Sequence, residues 1–247
     1  MLTSFRTPLR TVVVGAGGGI GRAFVDALAA DAAVGRIEAC ARRPLQDLPP
    51  QAVAHRLDLD DDASIDALAA ALAEGPSLDL VVVATGMLHD EGRGLAPEKT
   101  WRQLDRAALR RSFEVNAIGP ALVAQRLVPL LRRDGKAVFA ALSARVGSIE
   151  DNQLGGWYAY RAAKAALNQL LRTVAIELAR RAPQAVCVGL HPGTVDTGLS
   201  KPFQGGVAAG KLFTPEAAAH DLLGVLDGLG PDDSGRLFAW DGKRIPF

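Results

Sequence analysis

The stretch VVVGAGGGIGRA, Val12 to Ala23, is the most informative part of the chain. It joins a β-branched run to the start of a helix, and five glycines lie among the seven residues 15–21. Glycines at such a turn let backbone N–H groups approach a phosphate, and the helix N-terminus adds partial positive charge. A plain turn needs fewer glycines. The stretch therefore predicts a nucleotide-phosphate site formed by Gly15, Gly17, Gly18, Gly19, Ile20 and Gly21.

Beyond this turn, short β-branched runs alternate with Ala- and Leu-rich helical stretches. Strands are predicted at 10–16, 36–41, 52–59, 78–85, 136–143, 185–192 and 235–242, and helices at 20–30, 61–74, 104–131, 157–181 and 214–229. The run 78–85 is apolar without alternation, which is typical of a strand buried on both faces of a parallel sheet. The order predicts an α/β fold, a doubly wound parallel sheet of about seven strands in one domain, 1–247.

Composition excludes several classes of function. Lys and Arg total 28 against 27 for Asp and Glu, so charge gives no support for a nucleic-acid or anionic-membrane partner. The first ten residues lack the apolar core of a signal peptide, and no segment approaches the roughly 20 apolar residues that span a bilayer. The expected compartment is the cytoplasm.

The potential metal ligands are scattered. Cys40 and Cys187 each lie in an apolar run, which favours buried thiols on strands over a disulfide or a metal pair. The four histidines have no ligand spacing, so no metal site is predicted.

The end of the second predicted strand indicates which nucleotide is bound. An acidic residue there usually binds the ribose 2′-hydroxyl of NAD, whereas arginine suits the 2′-phosphate of NADP. This chain has Arg42 and Arg43 at that place, while Glu38 comes too early, inside the strand. A solvated arginine pair is the alternative, but position and charge favour NADP(H) over NAD(H). Asp58 closes the third strand, where it can accept from an adenine amino group or cap a turn.

A tyrosine and a lysine near the start of the helix 157–181 are candidate catalytic groups. Residues four apart share a helix face, so Lys164 lies beside Tyr160, whereas Tyr158 is followed at that spacing by Ala162. A nearby cation lowers the pKa of a phenol, which is about 10 when free. Tyr160 is therefore predicted to be a general acid/base, although a Y-x-x-x-K pattern alone is weakly specific.

These motifs together resemble the classical short-chain dehydrogenase/reductase family. The motifs, in order, are Gly15-x-x-x-Gly19-Ile20-Gly21, Ala84-Thr85-Gly86, Asn116, Ser143, Tyr160-x-x-x-Lys164 and Pro192-Gly193. The similarity covers essentially the whole chain. The segment LSARVGSIEDNQLGGWYAYRAAKAALN and the ending FAWDGKRIPF are similar to the C-factor-like and sniffer-type carbonyl reductases.

The resemblance implies a Rossmann-type domain and a role for each residue. Tyr160 exchanges a proton with the substrate oxygen, Lys164 binds the nicotinamide ribose and lowers the tyrosine pKa, Ser143 hydrogen-bonds the substrate oxygen, and Asn116 holds a water. The cofactor-binding set adds Asp58, Leu59, Ala84, Thr85, Gly86, Pro192, Gly193, Val195 and Thr197. The function expected is hydride transfer between NADP(H) and a carbonyl or alcohol.

The chain departs from the family pattern in three places. Val14 stands where Thr or Ser is frequent, and Ala84-Thr85 stands where Asn-Ala is usual. The family often has two serines in tandem, the second being catalytic, whereas here Ala144 follows Ser143. Ser143 is the first candidate for the substrate hydrogen bond because it ends a strand, and Ser148 is the second.

The segment 198–213 occupies the place of the family's substrate lid. Its apolar side chains, with three from elsewhere, are expected to line a pocket for a small hydrophobic aldehyde or ketone; they are Leu199, Phe203, Val207, Leu212, Leu88, Leu154 and Trp157. The helices 104–131 and 157–181 are apolar on more than one face, which favours pairing as in the family's dimers and tetramers, or a thick monomer core. Two alternatives to the reductase are a nucleotide-binding signalling protein with little turnover and an epimerase or dehydratase.

Overall fold

A computed structural model describes residues 1–206, 208 and 210–247. The strands are β1 (Leu9–Val14), β2 (Val34–Ala41), β3 (Ala52–Arg56), β4 (Leu80–Val83), β5 (Ala137–Leu142), β6 (Ala185–His191), β7 (Thr194–Val195), β8 (Leu212–Phe213), β9 (Leu237–Ala239) and β10 (Arg244–Ile245). The α-helices are α1 (Gly19–Ala29), α2 (Asp62–Ala73), α3 (Arg106–Phe113), α4 (Gly119–Leu127), α5 (Tyr158–Arg181) and α6 (Pro215–Gly228).

The main sheet has the strand order β10-β9-β6-β5-β4-β1-β2-β3. All neighbouring strands are parallel except the pair β9 and β10, which is antiparallel. The chain runs outward from β1 through β2 and β3, then crosses back to β4 on the other side of β1. This reversal creates a crevice beyond the carboxyl ends of β1 and β4, where doubly wound folds bind ligands.

Helices cover both faces of the sheet. One core cluster packs α1 and α6 against the sheet, with Phe24 and Leu222 fully buried, and the other packs α2, α4 and α5, with Leu127 and Leu167 buried. Successive residues of β4 alternate between these clusters, since Val82 belongs to the first and Val81 to the second. The apolar run predicted to be buried on both faces is confirmed, and with it the doubly wound Rossmann-type fold.

Three predictions about the elements need correction. The described sheet has eight strands rather than about seven, because the chain after β9 turns back and pairs as β10. The predicted helix 104–131 is interrupted by a π-helical segment, Glu114–Ile118. Pro120 has no N–H to donate to the Asn116 carbonyl four residues earlier, which is a physical reason for the interruption.

The third correction concerns the segment 193–213, for which the sequence predicts neither strand nor helix. It contains β7 and β8, which pair with each other, and a 3₁₀ segment, Lys201–Gly206. The residue pairs Thr194–Leu212 and Val195–Phe213 join the two ends of the segment. The lid region is therefore fixed at its base.

Two cysteines and one carboxylate lie buried on strands of the sheet. Cys40 on β2 and Cys187 on β6 are free and buried, as predicted. Glu38 is fully buried within β2, where it pairs with Arg10 at 2.8 Å and with His55 at 2.7 Å. These contacts hold it inside the protein rather than at the strand end. Among the described residues, no helix is long and apolar enough to cross a membrane.

Candidate active site

A groove runs along the carboxyl ends of the central strands. It consists of a cavity of about 740 Å³ on the β2–β3 side and one of about 470 Å³ on the β5–β6 side. The two share the lining residues Gly18, Ala84, Thr85 and Gly86. The shared wall is the glycine turn after β1 together with the turn after β4, so the groove is continuous at the point where the strand order reverses.

The glycine turn depends on close backbone packing. Gly15 has a φ of +90°, which few residues with a side chain adopt, and a Cβ there would lie 3.0 Å from the Ala84 carbonyl oxygen. A Cβ on Gly21 would lie 2.0 Å from the Gly15 carbonyl oxygen. Gly18 caps α1 without a side-chain hydrogen bond. The first-turn N–H groups of α1 therefore face the groove without a competing side-chain cap, as an anion site requires.

Gly21 serves this turn from outside the groove. The other predicted cofactor-binding residues all line one cavity or both, whereas Gly21 lines neither. Its missing side chain lets α1 start directly against Gly15. Gly21 thus packs against the turn, and its contact with the nucleotide stays a prediction.

The larger cavity carries positive charge on its rim. Arg42 and Arg43 follow β2, are exposed, and line this cavity together with Asp58 and Leu59. The Asp58 carboxylate accepts from the Asp60 backbone N–H at 3.2 Å. Asp58 thus makes the turn contact that the sequence left open, and it also lines the cavity.

Sequence reasoning missed a further arginine of the larger cavity. Arg111 lines it and pairs with Asp60 at 2.7 Å, while its Nε is buried without a hydrogen-bond partner among the described residues. Arg111, together with Arg93 and Arg42, lowers the pKa of Asp60. Arg111 lies in the last turn of α3, where no motif marked it.

Asn116 connects the helical layer to the turn after β4. It lies in the π-helical segment and is fully buried, and its side chain bonds both the backbone N–H and the carbonyl of Met87, at 3.0 and 2.8 Å. A Cβ on Gly86 would lie 3.5 Å from Asn116 Oδ1 and 3.7 Å from Lys164 Nζ. Gly86 lets the asparagine and the lysine approach the same turn.

Tyr160 and Lys164 line the smaller cavity from α5. Lys164 is 1% exposed, donates to the Leu142 carbonyl at 2.7 Å, and lies 5.7 Å from the centre of the Tyr160 ring. Burial lowers the pKa of Lys164 to about 7 and raises the pKa of Tyr160 above its ordinary value.

The prediction that Lys164 lowers the pKa of Tyr160 is therefore wrong for the protein without a cofactor. The Tyr160 pKa is raised, because burial disfavours the phenolate and the same burial favours a neutral Lys164. Helix geometry did bring the two side chains together, as predicted. Tyr158 does not line either cavity.

Neither candidate serine presents a free hydroxyl to the smaller cavity. Ser143 lines it but is 3% exposed and donates to Asn168 Oδ1 at 2.6 Å. Ser148 is buried outside the cavity lining, where its hydroxyl accepts from the Asp151 N–H at 3.0 Å. Ala144 lines the cavity at the position where the family's second serine stands.

Aromatic side chains form one wall of the smaller cavity. Trp157 lies edge-on to Tyr160 and to Phe203, with ring centres 6.4 and 5.4 Å apart. Leu88 and Leu199 also line the cavity, as predicted.

Two other residues predicted for this wall do not line the cavity. Leu154 is 92% exposed, because it lies in a surface turn, and Leu212 pairs within β8 and is 39% exposed. Val207 lies outside the described residues.

Sequence reasoning also missed one residue that lines the site and one that supports α5 from outside it. His191, the last residue of β6, lines the smaller cavity. Glu98 is 4% exposed and accepts from the Ala159 N–H at 3.2 Å, which caps the start of α5. The position of His191 at a strand end was an available signal, whereas nothing local marked Glu98. Among the described residues, no group of three or more His, Cys, Asp and Glu side chains is placed to hold a metal ion.

Comparison with known proteins assigns this architecture to a family. The family model for short chain dehydrogenase matches residues 10–206, and the chain belongs to that family. Its members are oxidoreductases that use a nicotinamide cofactor, so the predicted class of enzyme is confirmed.

The similar proteins include the two types expected from sequence. The chain is 35% identical to a 1-hydroxy-2-glutathionyl-2-methyl-3-butene dehydrogenase of Rhodococcus sp. (strain AD45), over 77% of this chain and 78% of that one. It is 38% identical to the C-signal of Myxococcus xanthus, over 58% and 81%. Among solved structures, NADPH-bound carbonyl reductase from chicken fatty liver aligns with a TM-score of 0.84 and 27% identity, covering 99% and 97%. The carbonyl reductase Sniffer of Caenorhabditis elegans aligns with a TM-score of 0.79 and 26% identity, over 98% of this chain and 100% of that one.

Proposed function

We propose that this protein is a single-domain, NADP(H)-dependent oxidoreductase that interconverts a small, apolar carbonyl compound and its alcohol. The observation that carries the proposal is the placement of Tyr160 and Lys164. Both lie in an apolar-walled cavity that continues into the glycine-lined groove. A proton donor thus stands next to a nucleotide site, which is the arrangement that carbonyl reduction requires.

The chain's own groups divide the work of the reaction. A bound nicotinamide cofactor supplies or accepts the hydride, and the protein supplies orientation and the proton. Tyr160 donates its proton to the carbonyl oxygen in reduction, and its raised pKa keeps it protonated for that purpose. Lys164 holds the nicotinamide ribose, where its charge lowers the tyrosine pKa once the site is filled. Asn116 fixes the turn at Met87 through its two side-chain hydrogen bonds. We propose that it also holds the water molecule that the family resemblance implies.

The groove fits the cofactor on four observations. The glycine turn leaves no room for side chains at Gly15 and Gly21. The hydroxyl Oγ1 of Thr85 is buried in the shared wall without a hydrogen-bond partner among the described residues. Arg42 and Arg43 supply positive charge where a 2′-phosphate would lie. Pro192, Gly193, Val195 and Thr197 line the nicotinamide side.

The preference for NADP(H) rests on the two arginines. Replacing both, Arg42→Ala with Arg43→Ala, should raise the KM for NADPH at least about tenfold, since each charge-assisted phosphate contact contributes a kcal/mol or more. The KM for NADH should stay within threefold. An exposed arginine elsewhere, Arg244→Ala, is the control. A wild-type preference for NADH would contradict this role.

The substrate side is compact and largely apolar. The cavity of about 470 Å³ is lined by Leu88, Leu199, Trp157 and Phe203 around Tyr160. A small aldehyde or ketone with an apolar substituent suits such a wall. The glycine-containing segment 198–213 is proposed as the lid over it.

A second candidate function is a nucleotide-binding signalling protein with little turnover. The relative named C-signal, 38% identical, keeps this candidate open. NADPH binding without turnover of any carbonyl would favour it.

Assembly is proposed as a pairing of copies through the outer face of α5. Leu170 and Ile176 are 37% and 46% exposed on that helix. A dimer or tetramer in equilibrium sedimentation that Ile176→Glu dissociates would support the pairing.

The decisive experiment is a turnover assay. The protein is mixed with NADPH and a panel of small apolar aldehydes and ketones, and loss of the reduced-nicotinamide absorbance is followed. The proposal predicts turnover of at least one apolar carbonyl, faster than of charged analogues of the same size. Saturated NADPH binding without any turnover across the panel would overturn it.

A further inference from the structure

At the position of the family's second serine, the smaller cavity is lined by Ala144, whose side chain carries no hydroxyl. Negative charge develops on the carbonyl oxygen during reduction, and two fixed donors stabilise it better than one. Here Ala144 offers no donor, and the Ser143 hydroxyl donates to Asn168 Oδ1. Asn168 in turn donates to the Gly147 carbonyl at 3.3 Å, which fixes its orientation. Turning Ser143 toward a substrate would leave the buried Asn168 oxygen unpaired, a cost of about 1–3 kcal/mol.

His191 ends the neighbouring strand at the same height. Leu142 of β5 is paired with Leu190 of β6, and the Ser143 N–H donates to the Leu190 carbonyl at 2.7 Å. His191, the last residue of β6, therefore lies beside Ser143. It lines the cavity together with Tyr160 and Lys164.

The two ring nitrogens of His191 have different surroundings. Nδ1 is buried and has no hydrogen-bond partner within the described part of the chain. Nε2 is not among the buried atoms without a partner, which leaves it as the nitrogen able to meet the cavity that the residue lines. A buried N–H without an acceptor costs more than a buried lone pair, which favours the tautomer with its proton on Nε2. The open nitrogen is then a donor.

We propose that the Nε2–H of His191 donates a hydrogen bond to the substrate carbonyl oxygen, in the role that a serine hydroxyl otherwise fills. The inference rests on the proposed function. In the reducing direction the carbonyl carbon receives the hydride of the cofactor and the oxygen receives the Tyr160 proton. His191 keeps its own proton throughout, so the reaction balances with the histidine as a donor only.

The groups around His191 keep its ring neutral. Burial first, and then the nearby Arg145, lower the pKa of His191 to about 4 against the opposing effect of Asp241. Lys164 and Tyr160 are the other titratable groups lining the cavity around it. Arg145 itself is held by Asp151 at 2.9 Å and is half exposed, which makes it a poorer fixed donor.

Variants of two positions test this role. His191→Phe keeps a ring of similar size and removes the donor, so kcat should fall about 100-fold or more, the effect of losing one such donor. The dissociation constant for NADPH should stay within threefold. His191→Asn retains an N–H and should lose less than His191→Phe. Adding Ala144→Ser to His191→Phe should raise kcat at least about tenfold above that of His191→Phe alone, because the serine supplies a hydroxyl donor. His220→Phe, on exposed α6, is the control.

A separate variant avoids any risk of misfolding at His191. The gain in kcat from Ala144→Ser should be at least about threefold smaller in the wild-type background, where His191 supplies the donor, than in His191→Phe. A gain of tenfold or more in the wild-type background would show that the site lacks one and would overturn the inference. Turnover that depends on Tyr160 but is unchanged in His191→Phe would overturn it while leaving the proposed function intact. Absence of turnover in the wild type would overturn both.

Discussion

Replacing Gly21 by alanine tests how the glycine turn is built. The added Cβ would lie 2.0 Å from the Gly15 carbonyl oxygen, 2.7 Å from its carbonyl carbon and 3.2 Å from the Ala16 Cα. All three are backbone atoms, so α1 or the turn must move by more than about 1 Å to reach ordinary contact. Overpacking of this kind costs about 1–3 kcal/mol or more, against about 1 kcal/mol gained from helix propensity. We expect a net loss of about 2 kcal/mol in the free energy of unfolding.

Urea unfolding followed by circular dichroism measures this loss. Gly224→Ala is the matched control, because Gly224 also lies within a helix but has open space at its Cβ position. It should gain up to about 1 kcal/mol from propensity. The affinity of Gly21→Ala for NADPH should fall at least about tenfold, since the turn is displaced. A Gly21→Ala protein as stable as the wild type, with unchanged NADPH affinity, would refute the packing argument.

Three more predictions concern the site's supports. Burial lowers the pKa of Lys164 to about 7, so the folded protein binds fewer protons than the unfolded chain between pH 7 and about 10. The free energy of unfolding of the cofactor-free protein should therefore rise with pH in this range, by up to about 1.4 kcal/mol per pH unit. Urea unfolding at pH 7 and pH 9 measures this rise. Lys164→Met should lose the rise, and the exposed Lys201→Met should keep it. Asn116→Ala should lose about 2 kcal/mol or more by urea unfolding, since both Met87 backbone groups lose their partner; an unchanged stability would contradict this. Glu98→Ala should lower the melting temperature by removing the cap of α5, at a cost of about 1 kcal/mol, and an equal loss in Glu98→Gln, which keeps the acceptor, would argue against capping.

Periodicity and helix geometry predicted much of the fold and the proximity of Tyr160 to Lys164. Apolar runs such as β4 indicated a doubly buried sheet because both faces of the strand are apolar. The four-residue spacing of Tyr160 and Lys164 placed them together because α5 is a regular helix there. These features depend on local sequence, which a single chain displays directly.

The remainder depended on tertiary contacts. The Ser143 hydroxyl bonds Asn168, 25 residues away, so no local pattern shows that it is engaged. Glu98 caps a helix 61 residues further on, and Arg111 enters the larger cavity from a helix with no motif. The predicted lowering of the Tyr160 pKa was wrong for the protein without a cofactor, because burial raises that pKa although Lys164 lies close by.

The central claim is that Tyr160 transfers the proton in a nicotinamide-dependent carbonyl reduction. The most direct measurement compares kcat for Tyr160→Phe and Tyr158→Phe with NADPH and the best carbonyl of the panel. Both variants lose one hydroxyl from the same helix turn, but Tyr160 lines the cavity and Tyr158 does not. We predict a loss of about 100-fold or more for Tyr160→Phe, as general acid catalysis implies, and less than threefold for Tyr158→Phe. Equal kcat values for Tyr160→Phe and the wild type would contradict the claim.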